Sequence, residues 1–600
     1  MVRLLFVARR ESGMPLTVSK NRFKPWMVAI IVFLLSGCAS WSERFWVNAP
    51  GWSRAAHIGD TATREIIPVV VEDQAQPVTL LVSPQTNRPA LIMQALKPDG
   101  GLSWEQEIPV EVGLPDERQL VFDGRNLHAF WMYRGDLYHV QVSADGQDVG
   151  EIEEIPTRTA VGYFATAVSP TGQLALWYSG ARNEPGLFAF SSPDLDAEQV
   201  LVDELGTRPS LQFDDEGNLH ALWLRYPPGF ASDELYYAKL PGGAYDSSRV
   251  SLLLSTTFPM TQVLNGPRLG LDRTHVYVAW AVEVRTGMAA GDIVASYLSF
   301  PVSGLGAQRQ VNSIRIPTPF DLPYTTLPDI PGEWVPISAS ELPTTPRVIE
   351  ISFLPGQPDH AIATFKAQVD YRRRKTQWQV GAAVFNQGAP VGYQMLSFTA
   401  SESTYSQLAS DGDGFLYATW LEGSARTGGI AYLASTAPSL QQSFGRITFA
   451  DVSQMIAESL FGMASGVVLF WFPLIWLLGS LVVLFLTSPL RREDQPLLRP
   501  GVLISLVLAV AAFWVAKLFI FPLMFSYVPF SAWIPILPAS WSDALRLGTP
   551  IAIGLIALFS AIRLTYAREN RSPLYFILLY GLIDGLLTLA IYGVIFWGDI

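Results

Sequence analysis

One pattern recurs along the first two thirds of this 600-residue chain: a polar Asp- or Gly-containing turn, a short alternating run and a closing aromatic. Its clearest copy is Asp214-Asp215-Glu216-Gly217-Asn218-Leu219-His220-Ala221-Leu222-Trp223, followed about ten residues later by Glu234-Leu235-Tyr236-Tyr237-Ala238. Asp bonds its own backbone and Gly accepts positive φ, so the turn closes tightly. Alternation sends Leu219, Ala221 and Trp223 to one strand face, and His220 and Leu222 to the other. A sheet apolar on both faces must be covered on both faces. Radially stacked blades provide that, and the expected fold is an all-β propeller.

Further copies end at Trp131, Trp177, Trp280, Phe365 and Trp420, with a divergent strand pair at Val78–Val82 and Pro89–Met93. Trp131, Trp177 and Trp223 are spaced by one interval that suits a four-stranded blade, whereas later spacings are longer. The count is six or seven blades, with seven favoured, over 76–440.

The pattern resembles the propeller repeats of the sialidase superfamily at the level of fold. That family's Asp-box places its glycine close to the tryptophan, whereas Gly217 stands six residues before Trp223. The resemblance implies a site with three arginines, a tyrosine–glutamate pair and an acidic aspartate. No motif here carries those roles, so no catalytic residue is assigned. His128, His220, Tyr277 and Tyr417 each lie three residues before the closing tryptophan, where blade three has Leu174. They form either a binding ring facing the channel or ordinary strand packing, and the leucine favours packing. Asp123, Asp272 and Asp411 read as turn formers. The stretch 301–347 is proline-rich and long for a loop, with Tyr324 and Trp334 expected to be exposed as partner contacts or on an excursion without a role. Arg372-Arg373-Arg374-Lys375 reads as a solvated hairpin tip.

The ends of the chain place it at a membrane. Residues 1–38 combine a basic leader, an apolar core of about ten residues and Leu35-Ser36-Gly37-Cys38. This resembles the bacterial lipoprotein signal, which implies lipid on Cys38; an uncleaved signal anchor is the alternative. Residues 39–75 form a linker whose aromatics, including Trp52, either lie at the lipid interface or seal the first blade. After a junction at 441–460, the region 461–600 carries four apolar segments, 461–486, 501–525, 547–566 and 573–597, each long enough to span. Arg491, Arg492, Arg499, Arg563, Arg568 and Arg571 lie in connections expected to face the cytoplasm, which puts the propeller outside. Ionisable groups within the spans are few, and Lys517 and Asp584 stand out: they read as a snorkelling lysine and a helix contact, or as a pair, with a proton or ion pathway as the functional alternative.

Composition narrows the function classes. The net charge of -12 gives no basis for nucleic-acid binding. A single cysteine and six scattered histidines give neither a disulfide framework nor metal-ligand spacing. No nucleotide loop or nucleophile elbow stands out, and no cofactor is implied. The leading expectation is a bilayer-anchored extracytoplasmic scaffold that binds an envelope protein or polymer. The alternative is a propeller glycan hydrolase, marked by convergent carboxylates in a channel mouth.

Overall fold

A computed structural model describes residues 49–592, apart from several loop segments and the stretches 445–470, 488–498 and 526–540. Cys38, Tyr324 and Arg372 to Arg374 lie outside the described residues. The chain divides into two units, 43–447 and a C-terminal unit from 448.

The first unit is a seven-bladed propeller. Blade 1 comprises Ile67–Val71, Gln76–Val82, Ala90–Leu96 and Leu102–Pro109. Blade 2 comprises Arg118–Phe122, Asn126–Tyr133, Asp136–Ser143 and Glu153–Ile155; blade 3, Tyr163–Val168, Leu174–Ser179, Leu187–Phe190 and Gln199–Asp203. Blade 4 comprises Gly206–Phe213, Asn218–Arg225, Asp233–Pro241 and Val250–Thr256; blade 5, Gln262–Leu271, His275–Val284, Ile293–Pro301 and Asn312–Ser313. Blade 6 is built on Val348–Phe353, Ala361–Tyr371, Lys375–Asn386 and Ala389–Met395; blade 7, on Ser403–Ser410, Leu416–Glu422 and Gly429–Ser435. The first strand of each blade neighbours the first strand of the next, and blade 7 neighbours blade 1, so these strands line the axis.

The ring closes through the N-terminal segment. Ala56–Thr61 pairs with Gly429–Ser435 as the outermost strand of blade 7. Ser53 N–H donates to the Ser435 carbonyl at 2.7 Å, and Ser435 N–H donates to Ser53 Oγ at 3.0 Å. Trp52 is buried with residues of blades 6 and 7, and its Nε1–H donates to Gln394 Oε1 at 2.7 Å. It therefore seals a blade, though not the first one. The short helix α1, Pro438–Phe444, buries Leu440 below blade 7.

The proline-rich stretch is not a plain loop. Ile330–Pro336 pairs with Ala389–Met395 and Thr325–Leu327 pairs with Ile330–Pro336, giving blade 6 a fifth and a sixth strand. Pro331 falls at the register break against Thr325–Leu327, a bulge position where a strand tolerates proline. Trp334, expected to be exposed, is 3% exposed and packs with Leu327, Val384 and Trp420.

Interblade packing rests on large aromatics. Trp131, Trp223, Trp280 and Trp420 each pack toward the preceding blade. Burial of such a side chain is worth roughly 3–5 kcal/mol against truncation. Trp177 breaks the rule. Its strand runs one residue shorter from the turn, since Ser169 N–H bonds the Gln173 carbonyl and Trp177 follows four residues later, whereas Trp223 follows Asn218 by five. A one-residue shift reverses every side chain. Tyr178 therefore takes the place facing blade 2, and Trp177 faces blade 4, where it meets Trp223 at 5.9 Å.

The C-terminal unit contains α2 (Trp471–Thr487), α3 (Pro500–Ile520), α4 (Ser542–Ala567) and α5 (Pro573–Tyr592). Among the described residues, three helices, α3, α4 and α5, are long and apolar enough to cross a membrane, not the four expected. The described part of α2 is apolar but has only 17 residues, short of the roughly 20 that a span needs.

Candidate functional site

The residues singled out in the strand repeats form a structural motif inside the blades. In blades 2, 4, 5 and 7 an Asp ends the axial strand. One of its carboxylate oxygens takes backbone N–H groups of the turn: Arg125 and Asn126 on Asp123, Glu216 and Asn218 on Asp214, Thr274 and His275 on Asp272, and Asp413 and Phe415 on Asp411. The other oxygen takes a side chain from the second strand. His128 Nε2 lies 3.1 Å from Asp123, His220 Nε2 3.1 Å from Asp214, Tyr277 Oη 2.6 Å from Asp272, and Tyr417 Oη 3.0 Å from Asp411. Burial pushes both tyrosine hydroxyls up, and each donates to its carboxylate as a neutral phenol.

In blade 3 both halves of the motif change together. Ser169 replaces the Asp and, counted from the turn, Ala175 rather than Leu174 replaces the His or Tyr. The four polar tips are thus engaged within their own blades, where buried polar groups must be paired.

Beside this motif, a groove of about 300 Å³ opens between blades 4 and 5. Its lining includes Phe213, Asp214, Glu216, Lys239, Asp272 and Arg273. Burial raises the Asp214 carboxyl, but hydrogen bonds from His220, Asn218 and Lys239 outweigh it and hold the group well below the usual carboxylate range. A carboxylate so held cannot serve as a general acid, which needs a proton at working pH. The accessible charges are on the rim: Asp215 (55% exposed) and Glu216 (81%), with Arg273 bridging Asp215 at 3.9 Å and Asp359 at 3.1 Å.

A second cluster had no signal in the sequence. The axial strands of blades 4, 5, 6 and 7 share a register break at Thr207/Ser210, Asn265/Arg268, Ile349/Ser352 and Thr404/Gln407. Arg208, Gly266, Glu350 and Tyr405 occupy these bulges at φ between 53° and 96°. Non-glycine residues in that region are strained. Two of these bulge residues bond the neighbouring blade through their side chains: Arg208 Nη1 bonds the carbonyls of Leu264 and Gly266 in blade 5, and Glu350 Oε2 accepts from Tyr405 N–H in blade 7 at 2.7 Å. Lys366 Nζ lies 3.5 Å from Glu350 Oε1 and 2.7 Å from Glu402 Oε1. Burial pushes the Glu350 carboxyl up, against the pull of Lys366 and the Tyr405 N–H. Glu402 is 46% exposed.

In the C-terminal unit, Lys517 Nζ on α3 stands 2.6 Å from Asp584 Oδ1 on α5, and both side chains are fully buried. The lysine does not snorkel; it forms the ion pair. Helical periodicity does not report the relative height of two helices, so the sequence left the pairing open. Among the described residues no group of three or more His, Cys, Asp or Glu side chains could hold a metal ion.

No protein family and no curated protein matches the chain. Similar solved structures include the polysaccharide lyase Uly1, at 10% identity over 63% of this chain and 90% of that one, with a TM-score of 0.41. The WD40 domain of SCAP from fission yeast matches at 11% over 67% and 99%, with a TM-score of 0.29. The alpha-L-arabinofuranosidase from Lactobacillus brevis matches at 10% over 43% and 94%, with a TM-score of 0.27. The neighbours are of the β-propeller type, and likenesses this remote say nothing about what the chain binds or cleaves.

Proposed function

We propose that the chain is a membrane-anchored extracytoplasmic scaffold whose propeller binds an envelope protein or polymer. The carrying observation is the groove between blades 4 and 5. Its inner carboxylates are locked into turns, while Asp215, Glu216 and Arg273 offer accessible charge on rigid elements. Fixed turns present such groups with little ordering cost on binding. In this reading Cys38 carries lipid, the helices anchor the chain, and the arginine-rich connections hold the propeller outside.

The test is site-specific photocrosslinking of the full chain in its native membrane. A probe at Asp215 should yield a discrete adduct that the pair Asp215→Arg with Glu216→Arg abolishes. A probe at Gly287, in the hairpin at the opposite strand ends of blade 5, should give none. Equal labelling at both positions, or an adduct indifferent to the charge reversal, refutes the reading.

A glycan hydrolase is the second reading, favoured by Glu350 and Glu402. Two carboxyl groups around one ammonium, one buried and one half-exposed, have the contrasting environments that separate an acid from its partner. Turnover of a glycoside panel by the purified chain, lost in Glu350→Gln and Glu402→Gln, would favour it. Absence of turnover across the panel would count against it.

A further inference from the structure

Among the described residues of the C-terminal unit, the Lys517–Asp584 pair is the one place where full charges are buried among apolar helices, and its geometry is incomplete. Asp584 Oδ1 takes Lys517 at 2.6 Å and the Thr588 hydroxyl at 3.3 Å, but Asp584 Oδ2, buried as well, has no partner among the described residues. The Trp476 Nε1–H, fully buried on α2, has none either. The ammonium has a second set of neighbours: Nζ lies 4.9 Å from the Trp514 ring centre and 5.9 Å from that of Trp476. Aromatic faces hold a desolvated cation by about 2 kcal/mol or more. Trp514 is itself fixed by its Nε1–H, which donates to Tyr580 Oη at 2.8 Å.

We propose that Asp584 is a proton-binding site within the helical unit, with Lys517 exchanging its carboxylate partner for the two indole faces when the proton is bound. The step is a simple association. A solvent proton adds to the free lone pair on Asp584 Oδ2, the carboxylate becomes a neutral acid, and the ammonium keeps its charge against Trp514 and Trp476. No other covalent bond forms or breaks, and the Lys517–Asp584 hydrogen bond is released.

Few ionisable neighbours complicate this. The described part of α2 has none, and α3 has only Lys517. On α5 the others are Tyr575, Tyr580 and Tyr592. On α4 they are Asp543, Arg546, Arg563 and Tyr566, of which Arg563 and Tyr566 are exposed. Lys517 stands three residues from the end of α3, about 4.5 Å of helix. The proposal goes beyond partner binding by the propeller and fails or stands separately from it.

The test is pH-difference infrared spectroscopy of the full chain in lipid nanodiscs. Acidification should raise one protonated-carboxyl band of a buried acid, absent in Asp584→Asn. In Lys517→Gln the band should already be present at neutral pH, because the carboxylate has lost its counter-charge. Asp584→Glu should restore a shifted band, which guards against a variant that merely misfolds. If the wild-type chain shows no such band down to the pH at which it unfolds, or if Asp584→Asn retains it, Asp584 is a permanent half of a structural ion pair and the proposal is overturned.

Discussion

His128 Nδ1 stands 3.0 Å from His139 Nε2, with the two rings stacked 5.2 Å apart inside blade 2. Asp123 lies beyond the first ring and Glu153, at 4.0 Å, beyond the second. The contact is a hydrogen bond only while at least one facing nitrogen is bare, so the two rings cannot both be protonated in place. Burial, and then the neighbouring His128, lower His139 to about 4 from the ordinary 6.5.

A pH dependence follows with a definite sign. The folded chain holds His139 neutral more strongly than the unfolded chain does, so the unfolded state binds more protons between pH 6.5 and 4. Stability should be fully present above about pH 6.5 and fall as pH drops toward 4, by up to about 3 kcal/mol from this group. Denaturant midpoints of the propeller across that window should show the decline, and His139→Gln should make it shallower, the remainder coming from His220 and His360, which burial also lowers. A wild-type curve without slope there would contradict the assignment.

The Asp–Tyr closure in blade 5 predicts a coupling energy. Tyr277→Phe removes the donor to Asp272 and leaves a buried oxygen short of a partner, at a cost of about 1–3 kcal/mol. Once Asp272→Asn has replaced the carboxylate, the same tyrosine change should cost less. A double-mutant cycle should therefore return a non-zero interaction energy, of the order of 1 kcal/mol. Additive effects would mean that the 2.6 Å contact is energetically idle.

Trp177 and Trp223 give a second coupling, and they also mark where periodicity misleads. Equal spacing of Trp131, Trp177 and Trp223 implies equivalent positions, but the shorter turn-to-tryptophan distance in blade 3 turns Trp177 over to meet Trp223. Truncating either ring to alanine should cost about 3–5 kcal/mol. The two losses should fall short of additivity, because both rings belong to one interface. Trp131→Ala and Trp223→Ala, in different interfaces, should add. If the Trp177 and Trp223 losses also add, the rings do not share an interface.

The same physics explains what else could be read from the residues. The second and third strands of each blade were visible because they alternate and start at Asp or Gly turns, as in Asn218–Arg225 and His275–Val284. The outer strands, such as Glu153–Ile155 and Asn312–Ser313, are short and polar and look like loop. The axial strands carry bulges at Arg208, Glu350 and Tyr405 that interrupt any period of two. For that reason Glu350 and its contact with Lys366 had no signature. The polar tips of His220 and Tyr277 were readable as packing, because a repeat that tolerates an apolar residue at the same place in blade 3 does not require a ligand there.

In the helical unit, α5 presents Gly581 and Gly585 one turn apart toward α2, and their surroundings differ. A Cβ on Gly581 would meet the tip of Leu477, at 2.3 Å from Cδ2, a flexible end that can swing aside. A Cβ on Gly585 would meet the rigid ring of Pro473, at 2.3 Å from Cβ. Proline cannot rotate away, so relief requires the helices to part, and overpacking of that kind costs about 1–3 kcal/mol. Gly585→Ala should therefore lower the unfolding temperature of the detergent-solubilised chain more than Gly581→Ala. It should also disturb Asp584, the adjacent residue, and so weaken its contact with Lys517. Equal effects of the two alanines, or a greater loss at Gly581, would show that Pro473 does not set the closeness of α2 and α5.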